Sequence, residues 1–120
     1  MLNDADLSKI KHVYIKPGRT DMRKGAPGLT SIIKYEFGLD PFDSSCLFMF
    51  CGCRKNLIKA VIWERDGFCL LSKKLSGAGR FCWPKTEEEV RELTPEQFHR
   101  LMEGFTIEGT IQMRKPKYLC

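Results

Sequence analysis

Short apolar runs separated by turn residues predict a set of β-strands. Residues 46–50 are continuously apolar, which is typical of a strand buried on both faces, and residues 57–63 are rich in β-branched side chains. The dipeptide Asp66-Gly67 then supplies a strong hairpin signal. Strands are therefore predicted at 12–15, 46–50, 57–63, 68–72 and 81–83, the last of them stopped by Pro84.

Two other segments carry apolar residues at helical spacing. The first runs from about Pro27 to Phe37, and Gly38 suits its C-terminal cap. The second begins at Thr94, which forms a capping-box pattern with Gln97. Gly104 can end the second helix. The apolar faces consist of Leu29, Ile32, Ile33 and Phe37 in the first helix, and of Phe98, Leu101, Met102 and Phe105 in the second.

These elements predict an α+β fold. We expect a small antiparallel β-meander of three to five strands, with two main amphipathic helices packed on one of its faces. Residues 1–120 are expected to form a single domain, with a core at about 10–106. The composition of 86–93 fits either a helix or an extended connection, and the C-terminal tail, 107–120, fits either a strand or a disordered segment.

The composition is that of an ordinary globular protein, with 42% hydrophobic and 29% charged residues. The N-terminus has no basic start followed by an apolar run, and no stretch approaches ~20 apolar residues, so no signal peptide and no membrane contact are expected. We expect a cytoplasmic protein, in which a reducing environment keeps the six cysteines free. Cys46, Cys69 and Cys82 lie beside apolar residues and should act as small buried apolar groups.

The net charge of +5 is distributed unevenly. Cations dominate the stretch 9–24, in which Asp21 is the single acid, whereas glutamates dominate the region after Pro84. Such asymmetry can mark a face that binds nucleic acid, and it can equally be a mixed, solvated surface. The basic stretch contains Lys9, Lys11, Lys16, Arg19, Arg23 and Lys24.

The loop from Arg19 to Lys24 is the main candidate site. It lies between Gly18 and Gly25, so both cationic side chains and exposed amides can approach a phosphate. In one interpretation Arg23 and Lys24 contact a DNA backbone while Asp21 orients Arg23. In the other, Asp21 and Arg23 form a structural pair that fixes the loop onto the sheet.

A second basic strip is predicted around the turn that contains Arg54 and Lys55, together with Arg80. Aromatic residues are interspersed with these cations and could stack on the bases of single-stranded DNA. In so small a domain, however, the same rings are needed for the core. The strip also includes Lys59, Lys73 and Lys74, and the rings are Trp63, Phe68, Phe81 and Trp83.

No set of residues forms a complete active site in the sequence. The pair Cys51 and Cys53, even with His12 or His99 added, has neither the internal spacing nor the second pair that zinc sites usually show. A nuclease needs clustered carboxylates, and the loop acids do not fall on a shared helical face. These acids are Asp21, Asp40, Asp43, Glu64 and Asp66. We therefore expect no enzyme activity, no metal, no cofactor and no small-molecule substrate.

Several short phrases, in this order and spacing, resemble the TnpB-type accessory protein, the second open reading frame of insertion sequences of the IS66 group. The likeness runs from about Val13 to Phe105. Each phrase is weak alone, but the ordered set is specific. The phrases are Thr20-Asp21-Met22-Arg23-Lys24-Gly25, Leu39-Asp40-Pro41-Phe42, Leu47-Phe48-Met49-Phe50, Asp66-Gly67-Phe68-Cys69-Leu70, Gly79-Arg80-Phe81-Cys82-Trp83-Pro84 and Leu93-Thr94-Pro95-Glu96-Gln97-Phe98.

The resemblance implies a bacterial protein that is encoded beside a separate transposase and supports movement of the element. It implies no catalytic residue. The family usually has two arginines and an acid after the Leu-Phe-Val-Phe-like strand, and here Arg54 and Lys55 keep the charge while Asn56 replaces the acid. A role that needs a carboxylate at this turn is therefore in doubt.

Three functional hypotheses follow. The first is an accessory factor that binds DNA, such as the element's ends, through the basic loop. The second is a protein-interaction module that assembles with the transposase without touching DNA. A metal-dependent nuclease is the least favoured. The first two are compatible, and a bridge between DNA and the transposase of the same element is the preferred interpretation.

Overall fold

The computed structural model describes residues 10–84 and 91–103, and it confirms the α+β prediction. The described strands are β1 (His12–Ile15), β2 (Cys46–Cys51), β3 (Leu57–Trp63), β4 (Phe68–Lys74) and β5 (Arg91–Leu93). The described helices are α1 (Ala26–Ser31), which continues into a π-helical turn (Ile32–Glu36), and α2 (Pro95–Met102). None of these helices is long and apolar enough to cross a bilayer.

The five strands form one sheet in the order β4-β3-β2-β1-β5. The predicted antiparallel meander is present as β2-β3-β4. The first strand departs from it, because β1 pairs in parallel with β2, with Val13 opposite Leu47, and antiparallel with β5. A parallel pair needs a crossover connection, and the chain between β1 and β2, including α1, provides it. A purely antiparallel sheet was therefore the wrong expectation for β1.

The two helices lie on opposite faces of the sheet, so the expectation that both would cover one face is wrong. Successive residues of β2 point to opposite faces, and all six are buried, as predicted for a strand covered on both sides. Leu47, Met49 and Cys51 share a core with α2, on what we call the α2 face. Phe48 and Phe50 share a second core with α1, on the α1 face.

Local signals define the ends of the helices. The capping box of α2 is confirmed, since the Gln97 N–H donates to Thr94 Oγ1 at 3.1 Å and the Thr94 N–H donates to Gln97 Oε1 at 2.9 Å. The first helix ends at Glu36, and the φ of +66° at Gly38, one residue beyond the cap residue Phe37, allows the Leu39 N–H to donate to Ile33 O at 3.0 Å. Its last turn is π-helical rather than α-helical.

The predicted β3–β4 hairpin is confirmed, and Arg65 is the turn residue with a positive φ. The Glu64 N–H donates to Gly67 O at 2.9 Å and closes the connection. The positive φ, 74°, falls at Arg65. The Asp66-Gly67 dipeptide therefore marks the hairpin without forming the turn in which glycine itself takes a positive φ.

Residues 81–83 do not form the predicted strand. They are buried in an irregular conformation, with Phe81, Cys82 and Trp83 at most 4% exposed. Phe81 and Trp83 bond to loops, because the Phe81 N–H donates to Lys55 O and the indole Nε1 of Trp83 donates to Lys16 O at 2.8 Å. The predictions for 86–90, Gly104, Phe105 and the tail lie outside the described residues.

Candidate functional site

Two connecting segments meet at one end of the sheet, where the parallel strands β1 and β2 both terminate. The segment 16–24 follows β1, and the turn 52–56 follows β2. A backbone hydrogen bond joins them, because the Thr20 N–H donates to Cys51 O at 2.8 Å. The parallel pairing of β1 with β2 therefore brings the two predicted basic regions side by side.

A third segment, 79–84, is attached to both. The Phe81 N–H donates to Lys55 O at 2.6 Å, and the Gly18 N–H donates to Pro84 O at 2.7 Å. Backbone bonds thus hold three loops that are far apart in sequence against one another. We call the surface formed by residues 18–24, 52–56 and 79–84 the basic rim.

An ion pair shapes the first loop of the rim. Arg23 donates through Nε and Nη2 to the Asp21 carboxylate, at 3.0 and 2.9 Å, and its backbone N–H donates to Asp21 Oδ1 at 3.0 Å. These hydrogen bonds, together with the smaller effect of the Arg23 and Lys24 charges, lower the pKa of Asp21 to about 2. The Arg23 side chain nevertheless stays 91% exposed. The pair therefore shapes the loop locally and leaves the guanidinium accessible to solvent.

Other groups attach the loop to the sheet. The ammonium of Lys59, on β3, donates to Lys24 O at 3.1 Å. The side chain of Met22 packs on Gly52 so closely that a Cβ there would lie 2.8 Å from Met22 Cγ. Together with the Thr20 bond, these contacts fix the position of the loop, which explains why Gly52 begins the neighbouring turn. Lys59 is thus a structural donor rather than a free member of the basic strip.

The cations of the rim line shallow clefts. A cleft of about 330 Å³ has Arg19 and Lys55 in its wall, together with Trp83 and Pro84. A depression of about 230 Å³ beside it is lined by Arg54 and by further residues, including Met22, Asn56 and Lys74. A third, of about 380 Å³, is lined by Arg19, Thr20, Asp21, Met22, Gly52 and Cys53. Gly52 and Cys53 contribute to all three.

The predicted site residues are therefore brought together unequally. Arg19 and Lys55 share one cleft, and Arg54 lies in the next. Arg80 lines none of these three clefts, and its Nη1 donates to Gly79 O at 2.8 Å. Three residues that hold the loops together were not predicted as site residues, and they are Thr20, Met22 and Gly52. A glycine directly after a buried strand was the available signal for Gly52.

The four aromatic side chains of the predicted strip do not form a base-stacking platform on the rim. Phe81 and Trp83 are each 1% exposed and belong to the core of the α2 face. Trp63 and Phe68 lie at the other end of β3 and β4, where Phe42 packs against them with ring centroids 5.0 and 5.3 Å away. Two of the four rings that the sequence intersperses with cations are thus buried in the core beside the rim, and the other two lie at the far end of the sheet.

The cysteines and histidines do not assemble a metal site within residues 10–84 and 91–103. Cys51 is buried in the α2-face core, whereas Cys53 is exposed. His12 Nδ1 lies 2.6 Å from Glu92 Oε2, across the β1–β5 pair. Burial raises the pKa of the Cys46 thiol to about 11, and a hydrogen bond to Asp43 contributes to the shift. Cys46 therefore behaves as the predicted small buried group.

The loop carboxylates have local roles in the turns. Asp40 Oδ1 accepts the Phe42 N–H at 2.9 Å, and Asp43 Oδ1 accepts the Ser45 N–H at 2.9 Å. The hydrogen bonds from Ser45 lower the pKa of Asp43. These two acids and Asp21 thus bind groups within two residues of themselves, which is the bonding pattern of turn formers.

A family model described as IS66 Orf2 like protein matches residues 11–112. The chain belongs to this family. The match confirms the resemblance and extends it at both ends beyond the stretch from Val13 to Phe105. It also makes the chain a transposition-associated accessory protein.

Two relatives in Sinorhizobium fredii (strain NBRC 101917 / NGR234) are similar to the chain. The uncharacterised protein y4hO is 37% identical over 92 residues, which cover 77% of this chain and 78% of that protein. The uncharacterised protein y4jC is 28% identical over 96 residues, which cover 80% and 79%. No solved structure matches the chain.

Proposed function

We propose that this IS66 Orf2-like protein is a non-catalytic accessory factor whose basic rim binds the DNA of the element's ends. The observation that carries the proposal is the convergence of cations from separate loops. Arg19 and Lys55 share a cleft, Arg54 lies beside it, and Arg23 is held exposed by Asp21. Fixed cations on a surface suit contacts to phosphates, which position a protein on DNA without reading its sequence.

The surroundings of the rim favour contacts to the DNA backbone over recognition of the bases. Phe81 and Trp83 are buried, so they present no ring face on which a base could stack. The clefts are shallow, and the one that Arg19 and Lys55 share is also lined by Gly18, Gly52, Cys53, Trp83 and Pro84. Binding through such a surface should depend steeply on salt, because each phosphate contact releases bound counterions.

A direct test is fluorescence anisotropy of the full chain with a labelled duplex from the element's ends, over a salt series. The triple variant Arg19→Gln, Arg23→Gln, Lys55→Gln should bind more weakly and lower the slope of log K against log salt by about one per lost contact. A matched control removes three exposed cations outside the rim, through Lys11→Gln, Lys34→Gln and Arg65→Gln. Equal losses in both triples would mean that net charge, rather than the rim, drives binding.

A second candidate function is docking on the transposase. The observation that favours it is an aromatic cluster at the opposite end of the sheet, where Phe42 is 54% exposed and contacts Trp63 and Phe68. Exposed aromatic groups are enriched in protein interfaces. Together, the rim and this cluster would let the protein bridge DNA and the transposase.

A pull-down of the transposase, with and without element-end DNA, separates the two functions. Phe42→Ser should reduce capture of the transposase and leave the DNA affinity unchanged, because Phe42 is not part of the rim. The triple rim variant should show the opposite pattern. If neither DNA nor transposase is bound by the wild-type chain, both functions are refuted.

A further inference from the structure

We propose that the outer edge of β4 pairs with β4 of a second copy of this chain. The pairing is antiparallel, around a twofold axis at Leu71, and it joins two five-stranded sheets into one continuous sheet. Within the described residues, β4 ends the sheet on one side and has no strand beyond it. The other edge strand, β5, has three residues, whereas β4 has seven.

The hydrogen-bond pattern of the hairpin shows which groups β4 offers to a partner. In an antiparallel pair, only alternate residues bond to a given neighbour. The Leu75 N–H donates to Asn56 O, and the Glu64 N–H donates to Gly67 O, so the odd-numbered residues of this strand bond to β3. The even-numbered residues direct their N–H and C=O groups outward, and they are Phe68, Leu70, Ser72 and Lys74.

This set fits a second copy of itself in one register. With Leu71 on the twofold axis, Phe68 lies opposite Lys74 of the second copy, and Leu70 lies opposite Ser72. Every outward-directed residue then has a partner, because the four even positions map onto one another. A register shifted by two residues would leave one of these four residues without a partner in the other strand.

Charge selects the antiparallel direction. Two acids, Glu64 and Asp66, precede β4, and its last residue is Lys74. All three side chains are exposed. The antiparallel register places Lys74 opposite Phe68 of the second copy, next to the hairpin turn that carries Asp66. A parallel pairing would bring the two Lys74 side chains together instead. Terminal lysines usually protect an edge strand, but here the acids at its other end make the edge complementary to itself.

The middle of the strand is apolar on both faces. Leu71 packs partly against the α2-face core and would meet Leu71 of the second copy across the axis. Leu70, on the α1 face beside Val61, is 36% exposed and would be covered by the opposing strand. The centre of the contact is thus apolar and its two ends are oppositely charged, which is the arrangement of a specific interface.

The test is the molar mass of the full chain by sedimentation equilibrium over a concentration series. Wild type should dissociate from dimer to monomer on dilution. Ser72→Pro removes an outward N–H without breaking a bond to β3, and should weaken dimerisation by at least about tenfold. Ser72→Ala keeps the N–H and should not change the dissociation constant. Circular dichroism checks that the proline variant is folded.

A charge swap tests the register even if the proline variant fails to fold. Asp66→Lys and Lys74→Asp should each weaken the dimer, and the double variant should recover most of the loss, because the opposite charges meet again. Asp66 and Lys74 flank opposite ends of β4, so they are not neighbours within one copy. A wild type that stays monomeric, or a dimer insensitive to these variants, would overturn the proposal. A monomer with slowly exchanging Leu70 and Ser72 amides would also overturn it and assign the edge to a segment of the same chain.

Discussion

Thr20 offers a sharp test of how the rim is held. Its side chain is 7% exposed, and Oγ1 is fully buried with no hydrogen-bond partner within the described residues. Its backbone N–H, by contrast, makes the 2.8 Å bond to Cys51 O that joins two loops of the rim. Thr20→Val keeps that backbone bond and the β-branched shape, and replaces the hydroxyl with a methyl group.

The expected effect is a more stable protein. An unsatisfied buried hydroxyl costs about 1–3 kcal/mol, because it loses water and gains no partner. Allowing for imperfect packing of the new methyl group, we expect Thr20→Val to raise the free energy of unfolding by about 1 kcal/mol. For a domain of this size, that corresponds to a Tm increase of about 4 °C.

Urea and thermal unfolding, followed by circular dichroism, measure this change. The matched control is Thr30→Val in α1, where the hydroxyl donates to Ala26 O at 2.8 Å. Thr30→Val should leave the free energy of unfolding unchanged or lower it by up to about 1 kcal/mol. If Thr20→Val lowers the free energy of unfolding instead of raising it, the Thr20 hydroxyl has a partner and the reasoning is wrong. The DNA affinity of Thr20→Val should equal that of the wild type, since no cation moves.

Two further predictions concern the same end of the sheet. Asp21 should titrate near its pKa of about 2 in a carbon-13 NMR experiment, so its contribution to stability is present above its ordinary pKa of 3.8 and is lost as the pH falls towards about 2. Arg23→Gln should raise the midpoint towards the ordinary value, and an unchanged midpoint would show that the ion pair does not exist in solution. Trp83→Phe removes the indole donor to Lys16 O and should lower the free energy of unfolding by about 2 kcal/mol in urea titrations, whereas a loss below about 0.5 kcal/mol would show that the bond contributes little.

The composition of the candidate site was predictable, but its assembly was not. The Arg19–Lys24 loop and the Arg54–Lys55 turn could both be recognised, because clustered cations between glycines are visible in sequence. Their contact depends on the backbone bond from Thr20 to Cys51 and on the packing of Met22 on Gly52, which no local pattern predicts. The attachment of Lys59 to Lys24 O was unpredictable for the same reason, since it follows from the position of β3.

Features that depend on neighbours in sequence were determined by the sequence itself. The capping box at Thr94, the hairpin at 64–67 and the buried run of β2 all arise from contacts within a few residues or from a burial pattern along one strand. Only the tertiary structure decided the place of β1 between β2 and β5, the opposite faces of the helices, and the burial of 81–83 without a strand. Alternating polarity shows which face of a strand is buried, but the neighbouring strand is selected by competition among all strands for hydrogen-bond partners. That competition placed β1 in parallel beside β2, and through it the basic loops came together.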